Sequence, residues 1–483
     1  MNAADFAVSL PLLIMSATAV ILMIAIAIRR SHVAAAVISF TGVAASFGSL
    51  LFAASAVPRQ VTRLLVLDSY SLLYMAILLC ATACVFSFGY DYLKRRQEHR
   101  EEFYLLVLLA TTGAMVLVAS RHFASFFLGL ELLSVALYAL IAYVRTESAS
   151  IEAGIKYLIL AASSSSVLLF GLALIYAGSG SMELSQFAEG MNRTVGPANT
   201  FPLLAGLLLV LTAVGFKLAV VPFHLWIPDV YEGAPLPVTA FIATVSKGGM
   251  FALLLRWFHV RDAGLAGPTG LVFSIIAIAS MLTGNLLALR QTNVKRILAY
   301  SSIAHMGYLL VALLAGGALG APAATYYLTA YLATILGAFG IMTAMSGSQW
   351  EAASVDDYRG LFWRRPFVAG AFTTMLLSLA GIPLTAGFLG KFYVIAAGAS
   401  RSRWLLLFTL VVSSTIGLFY YLRILVAMYA PPGDSDPQRD SRTPPLPLPA
   451  TLALTALTGL VFLLGVYPTP LWNAIVAVTR DFG

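Results

Sequence analysis

The chain has 483 residues, 60% of them hydrophobic and only 10% charged, with a formal net charge of +8. A soluble globular protein carries about a quarter charged residues, so a soluble fold is excluded. The positive charge does not indicate a nucleic-acid partner, because Lys and Arg sit mostly at the ends of apolar segments, where membrane topology accounts for them. The apolar residues form long runs, such as Pro11 to Ile28 and Thr451 to Val466. Runs of roughly 18 or more apolar residues read as membrane-spanning helices.

Taken in chain order, the runs predict about 14 spans, at 8–28, 33–56, 70–90, 103–119, 122–143, 152–177, 202–227, 236–258, 268–289, 297–316, 322–345, 367–399, 404–430 and 448–470. The fold class is therefore an all-α polytopic membrane protein. The first span is not a cleaved signal: Met-Asn-Ala-Ala-Asp precedes it without a basic residue, and Arg29 and Arg30 follow it. Cys80 and Cys84 share the third span and read as packing residues, since no further Cys or His completes a metal site. The longest polar stretches, 178–200, 347–365 and 431–447, leave no soluble domain. Lys and Arg divide about 15 to 9 between the two sets of loops. The richer set, with Arg29, Lys94, Lys295 and Arg365, is placed in the cytoplasm, which puts both termini on the periplasmic side of a bacterial inner membrane.

Besides Arg256, counted with the loops, five basic residues fall inside spans: Lys156, Lys217, Lys247, Lys391 and Arg423. The only acidic residue in a span core is Glu131. A Lys at a helix centre costs about 2.5–3.5 kcal/mol on insertion scales. An apolar residue would remove that cost, so a functional role is the default reading. The competing reading is static pairing, for instance Glu131 with Lys217. One carboxylate cannot neutralise three lysines, so the protonation of at least one of them must be able to change. Lys156, near a span end, reads equally as a snorkelling side chain, and Arg423 reads as an anchor.

The local backbone points the same way. Lys217 is followed in its span by Pro222, and Lys391 is preceded by Gly381-Ile-Pro383 and by Gly387 and Gly390. Proline removes a donor and clashes with the preceding turn, so both helices are expected to be discontinuous. Broken helices at membrane depth line a cavity or lie buried in protein. Two of them, five spans apart and each with a Lys, suggest two related half-units. His224 stands seven residues after Lys217, on the same face if the helix resumes, as a relay or a packed side chain. His305 reads equally as a bridge between half-units or as an interhelical hydrogen-bonding residue. Gly390-Lys391 is no phosphate loop, because Thr385 and Phe392 break the pattern, and no dinucleotide, metal or nucleophile motif is present.

Three stretches carry a family resemblance: GFKLAVVPFHLWIPDVYEGAPLPVTAFIATVSKGGMFALLLR at 215–256, RQTNVKRILAYSS within 289–310, and LSLAGIPLTAGFLGKFYV at 377–394. Together they resemble the antiporter-like membrane subunits of respiratory complex I, over most of 103–429. Within that family the chain looks most like the N-type subunits, because Lys391 stands where M-type subunits usually have Glu and no long C-terminal lateral helix follows, as L-type subunits have. The resemblance implies N-terminal helices at 1–102, two inverted five-helix repeats at 103–258 and 268–430, and a polar loop with a last helix at 431–483. It implies that Glu131, Lys217, Lys247 and Lys391 match the family's functional positions. It also implies that no cofactor belongs to this chain, with FMN, iron–sulfur clusters and quinone in partner subunits. Expected partners are other membrane subunits of complex I and the lipid bilayer. The implied function is proton translocation coupled to quinone reduction elsewhere. A multisubunit cation/proton antiporter and a structural membrane spacer are the alternatives.

Overall fold

The computed structural model of the chain describes residues 3–96, 99–184, 197–259, 268–348, 350–431 and 446–480. Away from water each backbone N–H and C=O must be satisfied within its own segment, so the apolar runs become helices. In chain order these are α1 (Ala3–Ile28), α2 (His32–Ala54), α3 (Ser69–Arg96), α4 (Glu101–Ala119), α5 (Phe123–Ile141), α6 (Ser148–Ser179) and α7 (Pro197–Leu218). There follow α8 (Trp226–Gly233), α9 (Leu236–Phe241), a π-helical turn (Ile242–Ser246), α10 (Lys247–His259), α11 (Pro268–Leu289), α12 (Val294–Ala315) and α13 (Gly317–Met345). The chain ends with α14 (Leu361–Arg364), α15 (Pro366–Ala380), α16 (Ala386–Ser400), α17 (Trp404–Tyr429), α18 (Leu448–Val466) and α19 (Thr469–Arg480).

Among the described residues, 13 helices are long and apolar enough to cross a membrane. The one other expected span, 367–399, is the pair α15 and α16, each too short alone. The span expected at 202–227 is likewise divided, into α7 and α8, so both predicted discontinuities are present. Several features depart from the sequence reading. The helix ends at Leu218, four residues before Pro222. A short antiparallel pair, Arg59–Gln60 with Val66–Leu67, joins α2 to α3. An extra terminal helix, α19, follows the last span. The described residues of the polar stretch 347–365 are partly buried, with a 3-10 turn at Val355–Tyr358. Most of the other two polar stretches, 178–200 and 431–447, lies outside the described residues.

The helices pack in sequence-adjacent pairs, α1 on α2, α4 on α5, α6 on α7 and α11 on α12. Gly171 of α6 and Gly206 of α7 meet at one crossing, where a Cβ on either would press on the other's backbone. Small residues at crossings let membrane helices approach closely. Every side chain from Leu236 to Phe258 is buried, and α12 and α13 are nearly so. Outer helices instead present large apolar side chains such as Ile21, Phe52, Phe408 and Phe419. That arrangement places the π-helical segment at the centre of the bundle, while the two breaks reach its surface at Pro222, Leu225, Pro383 and Leu384.

Candidate functional site

The first cluster joins α5, α6 and α7. Lys217, in the last turn of α7, is 5% exposed and donates to Ser134 Oγ at 2.7 Å. Its ammonium also lies 5.5 Å from the Tyr157 ring. Glu131 stands one turn before Ser134 on α5 and accepts from Ser165 Oγ at 2.5 Å. Among the described residues, no contact within 4 Å joins Glu131 to Lys217, so the direct salt bridge considered from sequence is absent. Each binds a serine instead, and Glu131 is half-buried, because it lies next to Leu128, Leu132 and Val135 on the outward side of α5.

The break beside Lys217 has its own local chemistry. Ala219 adopts a left-handed backbone, φ 57°, a conformation that costs a non-glycine residue on the order of 1 kcal/mol. The Phe216 carbonyl accepts from both the Ala219 amide and Trp226 Nε1, each at 3.0 Å, and the Val221 amide donates to Ser280 Oγ at 2.9 Å. These backbone groups at the break thus have partners, as desolvated polar groups require. The carbonyl end of α7 also favours a cation at Lys217.

The second cluster is built on α12. Lys247, 1% exposed, directly follows the π-helical turn and donates to Ser302 Oγ. Tyr331 donates to the same oxygen at 2.8 Å. His305, one turn beyond Ser302, packs its ring 4.9 Å from that of Tyr331. Its Nδ1 pairs with Tyr327 Oη at 2.7 Å and its Nε2 with Tyr421 Oη at 3.3 Å. A turn further on, the Tyr308 ring lies 5.4 Å from His305 and 5.3 Å from the Lys391 ammonium. Ser302, His305 and Tyr308 therefore form one stripe of α12 between Lys247 and Lys391.

The third cluster is the second break. Lys391, 7% exposed, reaches back from α16 to the carbonyls of Leu379 and Ala380, each at 2.9 Å, and to Ser414 Oγ at 2.7 Å. Pro383 lies in the break, with Gly381 at φ 86° and Leu384 at φ 72°. Here the lysine itself caps the carbonyls that the break releases.

The other sequence candidates separate from this row. His224 lies in the irregular segment after α7, so it does not continue the face of Lys217. It is buried, and its Nδ1 has no hydrogen-bond partner. Lys156 is half-exposed and ion-paired with Glu152 at 2.8 Å and Asp229 at 3.0 Å. Arg423 caps the carbonyls of Leu289 and Gln291. Two residues assigned to loops are buried: Lys295, paired with Glu351 at 2.7 Å, and Arg256, paired with Asp68 at 2.8 Å.

Sequence reasoning missed the hydroxyl partners Ser134, Ser165, Ser302 and Ser414. The spacing of Ser134 from Glu131 and of Ser302 from His305, one turn in each case, was a readable signal. Glu351 was missed because it lies in a polar stretch. Burial pushes its carboxyl up, but adjacent Lys295, the Tyr92 hydroxyl and Arg96 outweigh this and hold it below the usual carboxylate range.

The family of transmembrane proteins described as NADH:quinone oxidoreductase/Mrp antiporter matches residues 120–417. The chain is 46% identical to NADH-quinone oxidoreductase subunit N of Ectopseudomonas mendocina (strain ymp), over 96% of this chain and 95% of the relative. A chain of respiratory complex I from Thermus thermophilus, solved with bound aureothin, superposes with a TM-score of 0.82 at 31% identity, covering 97% of this chain and 100% of that one. A chain of the Mrp complex from Dietzia sp. DQ12-45-1b shares the fold, with a TM-score of 0.86 at 20% identity over 100% and 98% of the two chains. The chain therefore belongs to the NADH:quinone oxidoreductase/Mrp antiporter family of multi-pass membrane proteins. Within it, the chain falls in the subunit N branch of NADH–quinone oxidoreductase.

Proposed function

We propose that the chain moves protons through the membrane arm of an NADH–quinone oxidoreductase, by a relay of Glu131, Lys217, Lys247 and Lys391. The observation that carries this reading is the company of the lysines. Each is buried, and each is held by neutral hydroxyls or carbonyls rather than by a carboxylate. Such a site binds an ammonium without locking it, so a proton can leave. Two unit charges 4 Å apart interact by about 4 kcal/mol at an effective dielectric of 20. A modest movement of Glu131 toward or away from Lys217 is thus enough to decide whether that lysine keeps its proton.

Lys247 receives the proton next, and the Ser302–His305–Tyr308 stripe carries it toward Lys391. We assign 103–258 and 268–430 to two inverted half-units, one opening to the cytoplasm and the other to the periplasm. Both termini lie on the periplasmic side of the inner membrane. Redox chemistry belongs to partner subunits, which hold the FMN, iron–sulfur clusters and quinone, and the energy arrives through neighbouring membrane subunits.

The test is Lys217→Met and Lys247→Met in the assembled complex, with proton translocation and quinone reduction measured together. Loss of pumping with assembly kept is expected. Full pumping in both variants would sink the relay, and sodium-dependent transport by the wild type would favour the cation antiporter.

A further inference from the structure

Glu351 lies between α13 and α14, its side chain 14% exposed among groups from several elements. One carboxylate oxygen accepts from Lys295 Nζ at 2.7 Å. The other accepts from the Tyr92 hydroxyl and from the Leu236 amide, the latter at 3.3 Å, with Arg96 Nη1 at 3.7 Å. Lys295 Nζ also donates to the Ala234 carbonyl at 2.8 Å, just before α9. Arg96 Nε closes the cluster on the Gly347 carbonyl at 2.9 Å. A single acidic side chain therefore ties the first residue of α9 to the first turn of α12 and to the end of α3.

The two elements it joins are those that meet again at Lys247. Ser302 is seven residues after Lys295, two turns along α12 on the same face, or about 10 Å deeper. Lys247 follows Leu236 through α9 and the π-helical turn. The length of that span from Leu236 to Lys247 is set by its helical geometry, so its placement along α12 is set at its ends. A charged, desolvated clamp can enforce such a placement, because breaking one partner of a buried pair is strongly destabilising, whereas the pair adds little net stability over apolar packing.

We propose that Glu351 is a positioning residue for the relay: it fixes the register of the α9–α10 span against α12 and thereby sets the Lys247–Ser302 contact two turns deeper. The inference rests on the reading of Lys247 as a relay residue. Glu351 itself handles no transported proton. Its role is to hold Lys247 within reach of the hydroxyl that leads to His305.

The test is a cycle of Glu351→Gln, Ser302→Ala and the double variant in the assembled complex, in inverted membrane vesicles. Proton uptake per NADH oxidised is the readout. Glu351→Gln is expected to lower coupled uptake about three- to tenfold with assembly intact, and the double variant to be no worse than the poorer single, since both act through the placement of Lys247. Multiplying effects, or wild-type uptake in Glu351→Gln, would overturn the proposal. Should Glu351→Gln fail to assemble, Glu351→Gln/Lys295→Gln removes the Glu–Lys pair, leaves Arg96 on Glu147 at 3.3 Å, and enters the same cycle with the same two outcomes. Lys247→Met, run alongside, separates the two levels. If it pumps normally, the relay reading falls. If it abolishes pumping while Glu351→Gln is silent, only the positioning role falls.

Discussion

The ammonium of Lys391 caps the carbonyl of Ala380 at 2.9 Å, across the break in its own span. The same group that is placed to hold a proton also closes the backbone gap that makes room for it. Lys391→Met removes both roles. Coupled proton uptake in assembled complex is expected to fall about tenfold or more. The Leu379 carbonyl loses its side-chain partner and the Ala380 carbonyl keeps only Ser414 Oγ at 3.4 Å. An unsatisfied buried group costs about 1–3 kcal/mol, so the melting temperature of the purified complex should drop as well. Unchanged uptake would remove Lys391 from the relay.

Glu131→Gln isolates charge from hydrogen bonding. The amide still accepts from Ser165, so α5 and α6 stay joined. What disappears is the negative charge near Lys217. Assembly should be retained and proton translocation should fall about fivefold or more, the factor that a change of 1 kcal/mol represents. Normal turnover with normal proton stoichiometry would refute a role for this carboxylate.

The Asp68–Arg256 pair gives a pH dependence with a definite sign. Both Asp68 oxygens accept from Arg256 at 2.8 Å, and Ser71 adds further hydrogen bonds. Burial pushes the Asp68 carboxyl up, but Arg256 outweighs it and the net displacement is below the usual carboxylate value. A depressed carboxylate stabilises the fold fully above its ordinary value, near 4, and loses that contribution as pH falls through the lower, folded value. Asp68→Asn should therefore melt below the wild type between pH 6 and 8, by an amount on the order of 2–4 kcal/mol, with the gap closing in acid below about pH 4. Melting curves of detergent-purified protein across that range check it. A gap that widened in acid would contradict the assignment.

Gly387 tests how tightly the second break is built. Its amide donates to Ser378 Oγ at 3.1 Å, and a Cβ added there would strike the Ser378 carbonyl. Gly387→Ala must push α16 from α15, at about 1–3 kcal/mol for overpacking, and displace Lys391 from its carbonyls. Gly370, on α15, has open space where a Cβ would go. Gly370→Ala should be silent in yield and pumping while Gly387→Ala lowers both.

The spans were legible because a bilayer imposes one simple demand, length in apolar residues, and the prolines with their nearby glycines announced both breaks. Lysines in apolar runs disclosed that Lys217, Lys247 and Lys391 would be buried, since a span core offers an amine no bulk water. What the sequence hid was pairing between distant elements. No local pattern tells that Lys295 is buried on Glu351 or Arg256 on Asp68, because each carboxylate stands in a polar stretch and meets its partner only through the fold. The π-helical turn before Lys247 leaves no clear signature either, since Ile242–Ser246 reads as ordinary helix. His224 misled for a related reason: helical spacing was applied across a segment where the helix had stopped.

The span from Leu236 to Phe258 that carries Lys247 is buried by the rest of the chain, while the spans around it turn large apolar side chains outward. Such a segment is apolar enough to enter a bilayer, but its final seat exists only once its neighbours surround it. Biogenesis then has an order built into it, with the rim supplying the solvent in which the middle becomes tenable. A defect in an outer helix, far from any ionisable group, would accordingly surface as a failure at the centre.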